Sequence, residues 1–226
     1  MRLLKTLRTK PWLEPTMAST AGATVASDPL AAPRTALRFA LGIIGVLFFL
    51  FIITFLSRSQ YPDLQALAGQ PWQPFTDPTR LWFNTALLAI SSVAMQCGLV
   101  AARRDQVNRA VAGISVAVFF AVAFLVAQLE LWRHLQGMGY YVNTNPANSY
   151  FYLLTAVHGL HILGGLMVLV NVVFRGWYDG TMTRLSGPLT LCTHYWHFLL
   201  AVWLLLFAVL TSRSETINLL AALCGF

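Results

Sequence analysis

Charged residues divide this chain into apolar runs of nearly equal length. Arg38 to Arg58 encloses 19 uncharged residues, Arg80 to Arg103 encloses 22, and Arg109 to Glu130 encloses 20. About 20 apolar residues cross a bilayer as an α-helix. No Lys, Arg, Asp or Glu occurs from Leu135 through Phe174. That stretch is too long for one span, and Asn143-Thr144-Asn145-Pro146-Ala147-Asn148 splits it into a polar loop and a helix. A last apolar run lies between Arg184 and Arg213. The pattern predicts an all-α membrane protein built as a five transmembrane helix bundle.

Composition agrees with the pattern. Charged residues make up 10% of the chain, where a soluble domain carries about a quarter. Basic residues then orient the spans. Six of the 15 precede the first helix, Arg103, Arg104 and Arg109 lie in the second loop, and Arg175 and Arg184 lie in the fourth. Only Arg58, Arg80, Arg133 and Arg213 fall on the other side. An excess of Lys and Arg marks the cytoplasmic side, so the N-terminus is expected inside and the C-terminus outside. The net charge of +7 is thus a topology signal. No basic stripe with interleaved aromatics points to nucleic acid.

Residues 1–35 hold Pro11, Pro15, Pro29 and Pro33 with an Ala/Thr/Ser run between them, which reads as a poorly ordered cytoplasmic arm. They do not form a secretory signal, because no apolar region follows the short basic one at once. Residues 36–212 form the predicted bundle, and 213–226 an external tail. The outer loop from Ser59 to Thr79 carries four prolines and is expected to be irregular. Cys97, Cys192 and Cys224 show no metal-binding spacing, and Cys97 and Cys192 fall within apolar spans, so buried free thiols are expected at those two. No glycine-rich phosphate loop, nucleophile elbow or internal repeat is present.

Polar residues within the spans carry whatever chemistry the chain has, since an intramembrane ionisable group is a functional candidate by default. His158 and His161 sit three apart in Thr155-Ala156-Val157-His158-Gly159-Leu160-His161, and His194 and His197 repeat the spacing at the start of the last span. At i,i+3 each pair shares one helix face. Histidine is an ordinary haem and metal ligand, so a di-histidine membrane cytochrome is one reading. Against it, the two pairs enter the membrane from opposite sides, which offsets their mean depths by about 5–10 Å at the helical rise. Interhelical hydrogen bonding, helped by the close approach that Gly159, Gly164 and Gly165 allow, accounts for the same residues. No metal or haem is therefore expected on this chain. Glu130, near the outer end of the third span, has two readings: an interfacial carboxylate paired with Arg133 or His134, or a buried partner of a histidine in the fourth helix. The second is preferred, because Gln128 beside it also lies within the apolar end. Glu130, His158, His161 and His197 are the expected interhelical polar network.

These residues have a familiar arrangement. Phe151 to Gly165, with Tyr195-Trp196-His197-Phe198 and Val202-Trp203-Leu204, resembles subunit III of the haem–copper terminal oxidases. Leu81 to Ser91, with Asn84 and Thr85, is similar to that family's Leu-Asn-Thr helix opening, and Leu37-Arg38-Phe39 and Val46-Leu47-Phe48-Phe49 to its preceding helix. The likeness covers roughly residues 36 to 212 in the right order. It implies an accessory subunit with no redox centre, in a proton-pumping complex that reduces oxygen with electrons from cytochrome c or quinol. Haem and copper would sit on partner subunits, catalytic subunit I among them, and this chain would bind phospholipid and support structure and proton uptake. A bacterial inner membrane, or an equivalent energy-transducing one, is implied. The accessory subunit of a nitric oxide reductase shares the five-helix form and is the alternative. Three departures stand out: the first two helices of the seven-helix type are missing, Gly45 stands where the family often has a glutamate, and Leu199, Leu200 and Ala201 fill the place of an aspartate. A direct proton path through Gly45 or Leu200 is therefore not expected.

Overall fold

The computed structural model of the chain describes residues 30–60, 79–142, 146–178, 186–212 and 214–224. Among these residues there are six helices and no strand: α1 (Ala31–Ser59), α2 (Thr79–Arg103), α3 (Val107–Gly137), α4 (Pro146–Tyr178), α5 (Ser186–Thr211) and α6 (Ser214–Leu223). The first five are long and apolar enough to cross a membrane, one for each charge-bounded run. Lipid offers backbone groups no partner, so a spanning segment must satisfy its own, as a helix does. The proline-rich outer loop and most of the N-terminal arm lie outside the described residues.

Helix ends depart from the charge boundaries in instructive ways. α1 begins at Ala31, inside the stretch read as an arm, with Thr35 Oγ1 bonded to the Ala31 carbonyl at 3.0 Å. α3 and α4 run for 31 and 33 residues, about 46 and 50 Å at the helical rise, so their ends stand clear of hydrocarbon. Pro146 opens α4, where a missing N–H costs nothing. Part of the expected polar loop is thus the first turn of a helix. α6 lies within the stretch read as a tail. It turns Ile217 and Ala221 inward and packs on α1, where Gln60 Nε2 donates to Asn218 Oδ1 at 3.2 Å.

A tight turn sets α2 and α3 antiparallel, and a turn of the same kind ends α3. After α2, Asp105 adopts φ 56°, and the Gln106 and Asp105 N–H groups return to the Ala101 and Ala102 carbonyls at 3.0 and 3.2 Å. That is the Schellman pattern, with Asp in the left-handed place it tolerates. After α3, Gly139 (φ +88°) does the same, with Tyr140 N–H on the Leu135 carbonyl at 3.0 Å. Small residues then allow α2 and α3 to touch at the backbone. A Cβ on Gly113 would come within 2.7 Å of the Gly98 Cα and 2.8 Å of its nitrogen.

α5 lies at the centre, packed against α1, α2 and α4. Its pairing with α2 is antiparallel, from Trp203 beside Thr85, through Trp196 beside Ser91, to Thr190 within 3.4 Å of the Arg103 guanidinium. Trp196, Trp203, Phe48, Phe124 and Phe151 are the largest fully buried side chains. They fill the space where α1, α3 and α4 meet α5.

Candidate functional site

One face of α2 is polar although the helix is apolar overall. Asn84, Thr85, Ser91 and Ser92 are all buried, and two helical turns separate the first pair from the second, which places them on one side. Each finds a partner on α3 or α5. Asn84 Nδ2 donates to Gln128 Oε1 at 2.9 Å. Trp203 Nε1 donates to Thr85 Oγ1 at 3.0 Å, and Trp196 Nε1 donates to Ser91 Oγ at 2.9 Å. Indole can only donate, while a hydroxyl can accept and donate at once. Accordingly Thr85 passes its proton to the Leu81 carbonyl at 2.8 Å, and Ser91 to the Ala117 carbonyl at 2.7 Å. These bonds tie α5 to α2 and α2 to α3.

His197 extends this seam toward the surface. Its Nε2 lies 3.2 Å from Gln96 Oε1 and its Nδ1 lies 2.7 Å from Ser92 Oγ. An amide oxygen only accepts, so Nε2 carries a proton, while the serine hydroxyl can donate to or accept from Nδ1. Both ring nitrogens are thereby bonded within this chain.

The α4 histidines are held differently. His161 Nδ1 bonds its own helix, at 2.7 Å from the Val157 carbonyl, and the His161 carbonyl accepts from the Tyr195 hydroxyl at 3.0 Å. His158 is fully buried. Its ring lies 5.2 Å from that of Trp203, 6.0 Å from Phe124 and 6.1 Å from Phe48, centre to centre, so α5, α3 and α1 each contribute one wall. Among the described residues neither His158 nitrogen has a hydrogen-bond partner, nor has Gln128 Nε2. Trp203 is six residues beyond His197 along α5, about 9 Å at the helical rise. The two histidine pairs thus stand at different levels, and His161 does not meet His197.

Glu130 corrects the preferred expectation. Its carboxylate bonds Arg133 Nη1 at 2.8 Å, with the two side chains 58% and 74% exposed. It reaches neither His158 nor His161, whose ring bonds are those described above. The reason lies in the length of α3, which continues for seven residues past Glu130. The carboxylate sits in the exposed part, where a guanidinium one turn away is the nearer partner. The contact from α3 to α4 at this end is made instead by Trp132, whose Nε1 donates to Thr155 Oγ1 at 3.2 Å.

Of the four residues expected to form one network, only His197 joins the interhelical hydrogen bonds through its side chain. Ser91, Ser92 and Gln96 belong to the seam, and sequence reasoning passed over their side-chain roles. The signal available was the seven-residue spacing of small polar pairs within an apolar helix. Among the described residues no group of three or more His, Cys, Asp or Glu is placed to hold a metal ion.

Comparison with known proteins extends these observations across the chain. The family described as Cytochrome c oxidase subunit III matches residues 30–213. A relative from Mycobacterium bovis, "Probable cytochrome c oxidase subunit 3", is 30% identical over 156 residues, covering 66% of this chain and 75% of that protein. "Cytochrome c oxidase subunit 3" of Thermostichus vulcanus is 27% identical over 174 residues, 74% of this chain and 85% of that one. "Cytochrome bo(3) ubiquinol oxidase subunit 3" of Pseudomonas aeruginosa is 26% identical over 126 residues, 56% of this chain and 60% of that one. The family match takes in all five spanning helices and the seam between them, and the chain belongs to the cytochrome c oxidase subunit III family.

Proposed function

We propose that this protein is the accessory, non-redox subunit of a proton-pumping respiratory terminal oxidase, in which electrons from cytochrome c or quinol reduce oxygen. The observation that carries the reading is the subunit III match across residues 30–213, with relatives named for both donors. Catalytic subunit I and its neighbours hold the haems and copper. This chain packs beside them, holds phospholipid and supports proton uptake. The bonding of His197 to α2 and of His161 to its own helix, with the aromatic enclosure of the His158 ring, supports a non-redox role, because these rings are used in packing the bundle. An apolar groove between α3 and α4, lined by Ile114, Val118, Phe119, Val122, Leu169 and Val173, suits an acyl chain. The complex lies in a bacterial inner membrane or its equivalent, with the N-terminus inside, as the eleven-to-four split of basic residues supports.

Affinity purification through a tag on this chain tests the reading. Haem- and copper-bearing subunits with oxygen-consuming activity should follow the tag. Recovery of the chain alone from native membranes, or with a complex that reduces nitric oxide and not oxygen, would overturn it.

A further inference from the structure

The polar seam leaves two side chains over. Gln96 gives its carbonyl oxygen to His197, and its amide N–H groups remain on an exposed surface of α2. His194 lies one turn before His197 on α5 and is also exposed. Neither is near a water-facing end: Gln96 is seven residues from Arg103, and His194 is ten from Arg184, the flanking charges closest to each. Acyl chains offer no acceptor, so polar groups left to face them at this depth are costly. On the same helices Val93 and Val100 of α2, one turn either side of Gln96, and Leu204 and Leu205 further along α5 are exposed and apolar.

The α3–α4 side of the bundle contrasts with this. Phe119, Val122, Val126, Leu163 and Met167 are exposed there and suit lipid directly. Its polar exceptions need no partner subunit. Asn171 is four residues from Arg175, close to the interface, and a serine hydroxyl such as that of Ser115 can bond a carbonyl of its own helix.

We propose that the α2–α5 face centred on Gln96 and His194 docks against a transmembrane helix of another subunit, one that presents hydrogen-bond acceptors at that depth. This rests on the accessory-subunit reading and adds the interface to it. Carboxylate, amide or hydroxyl oxygens on the partner helix meet the spare N–H groups, while the surrounding aliphatic residues pack as helices do in membranes. A second copy of this chain is the competing occupant, because an isologous contact can set Gln96 of one copy against His194 of the other, and the crosslink from position 93 distinguishes the two.

Photo-crosslinking in the intact complex tests the interface. Benzoylphenylalanine replaces Val93 on the proposed face or Phe119 on the lipid-facing side, both exposed positions that tolerate a large apolar group. The expected result is a crosslink from position 93 to another subunit and from position 119 to lipid only. In addition, Gln96→Leu should lower retention of this chain in the detergent-purified complex severalfold, without changing how much of it inserts. A crosslink from position 93 to lipid or to a second copy, or one from position 119 to the partner subunit, overturns the interface while leaving the accessory role standing. Failure of any other subunit to copurify overturns the accessory role itself.

Discussion

Asn84 and Gln128 meet where neither lipid nor water can replace a lost partner. Asn84→Ala removes the only side-chain hydrogen bond that Gln128 makes among the described residues and leaves the buried amide without that partner. A buried orphan of this kind costs about 1–3 kcal/mol, so the melting temperature of the detergent-solubilised chain should fall clearly. Glu130→Ala should change it little, because an exposed i,i+3 ion pair is worth about 0.5 kcal/mol or less. Thermal unfolding followed by tryptophan fluorescence compares the two, and a larger loss from Glu130→Ala would contradict the described bonding. The histidines were legible in the sequence because ionisable residues in hydrocarbon are rare and conspicuous. Their partners were not legible, since these depend on which helices adjoin. His197 bonds Ser92 and Gln96 on a helix a hundred residues away. Glu130 turned to the arginine on its own helix, which no count of apolar residues could decide.

At the scale of elements, α2 and α3 are joined by backbone contact between two glycines. Gly113→Ala places a methyl group against the Gly98 backbone, which cannot rotate away as a side chain could. Forcing the helices apart should cost on the order of 1–3 kcal/mol. Gly164→Ala is the matched control, since a Cβ there meets nothing within 4 Å. Unfolding of the two variants in the same detergent should show a loss for Gly113→Ala and near-native stability for Gly164→Ala, and equal stability would refute the contact. The five spans were readable because bilayer thickness fixes their length and charges mark their limits. Helix ends were less so. α3 and α4 extend past hydrocarbon on hydrogen bonds that need no apolar residue. α6 is ten residues long, too short to announce itself by length, and packing of Ile217 and Ala221 on the bundle supports it.

For the whole molecule, the proposed topology, five crossings with the N-terminus inside, places the α2–α3 turn on the cytoplasmic side and the end of α6 outside. Cys224 is exposed and should react with a membrane-impermeant thiol reagent applied to intact cells, whereas Asp105→Cys should react only after permeabilisation. The reverse pattern would invert the topology. Family membership was legible in motifs that the fold links: Thr85 and His158 both contact Trp203, and Tyr195 bonds the His161 carbonyl. Assembly was not legible, because side chains left over for a partner, as proposed for Gln96 and His194, are recognised only once the internal bonds have been assigned. The central claim is that these histidines serve packing between helices and that redox chemistry belongs to other subunits. The most direct measurement is to strip this chain from the purified complex with detergent and record visible spectra and haem content of both fractions. The account predicts that haem stays entirely with the remaining subunits, which keep oxygen reduction, and that the released chain shows no Soret band. Haem released with this chain, and lost when His158 and His161 are both replaced by alanine, would contradict it.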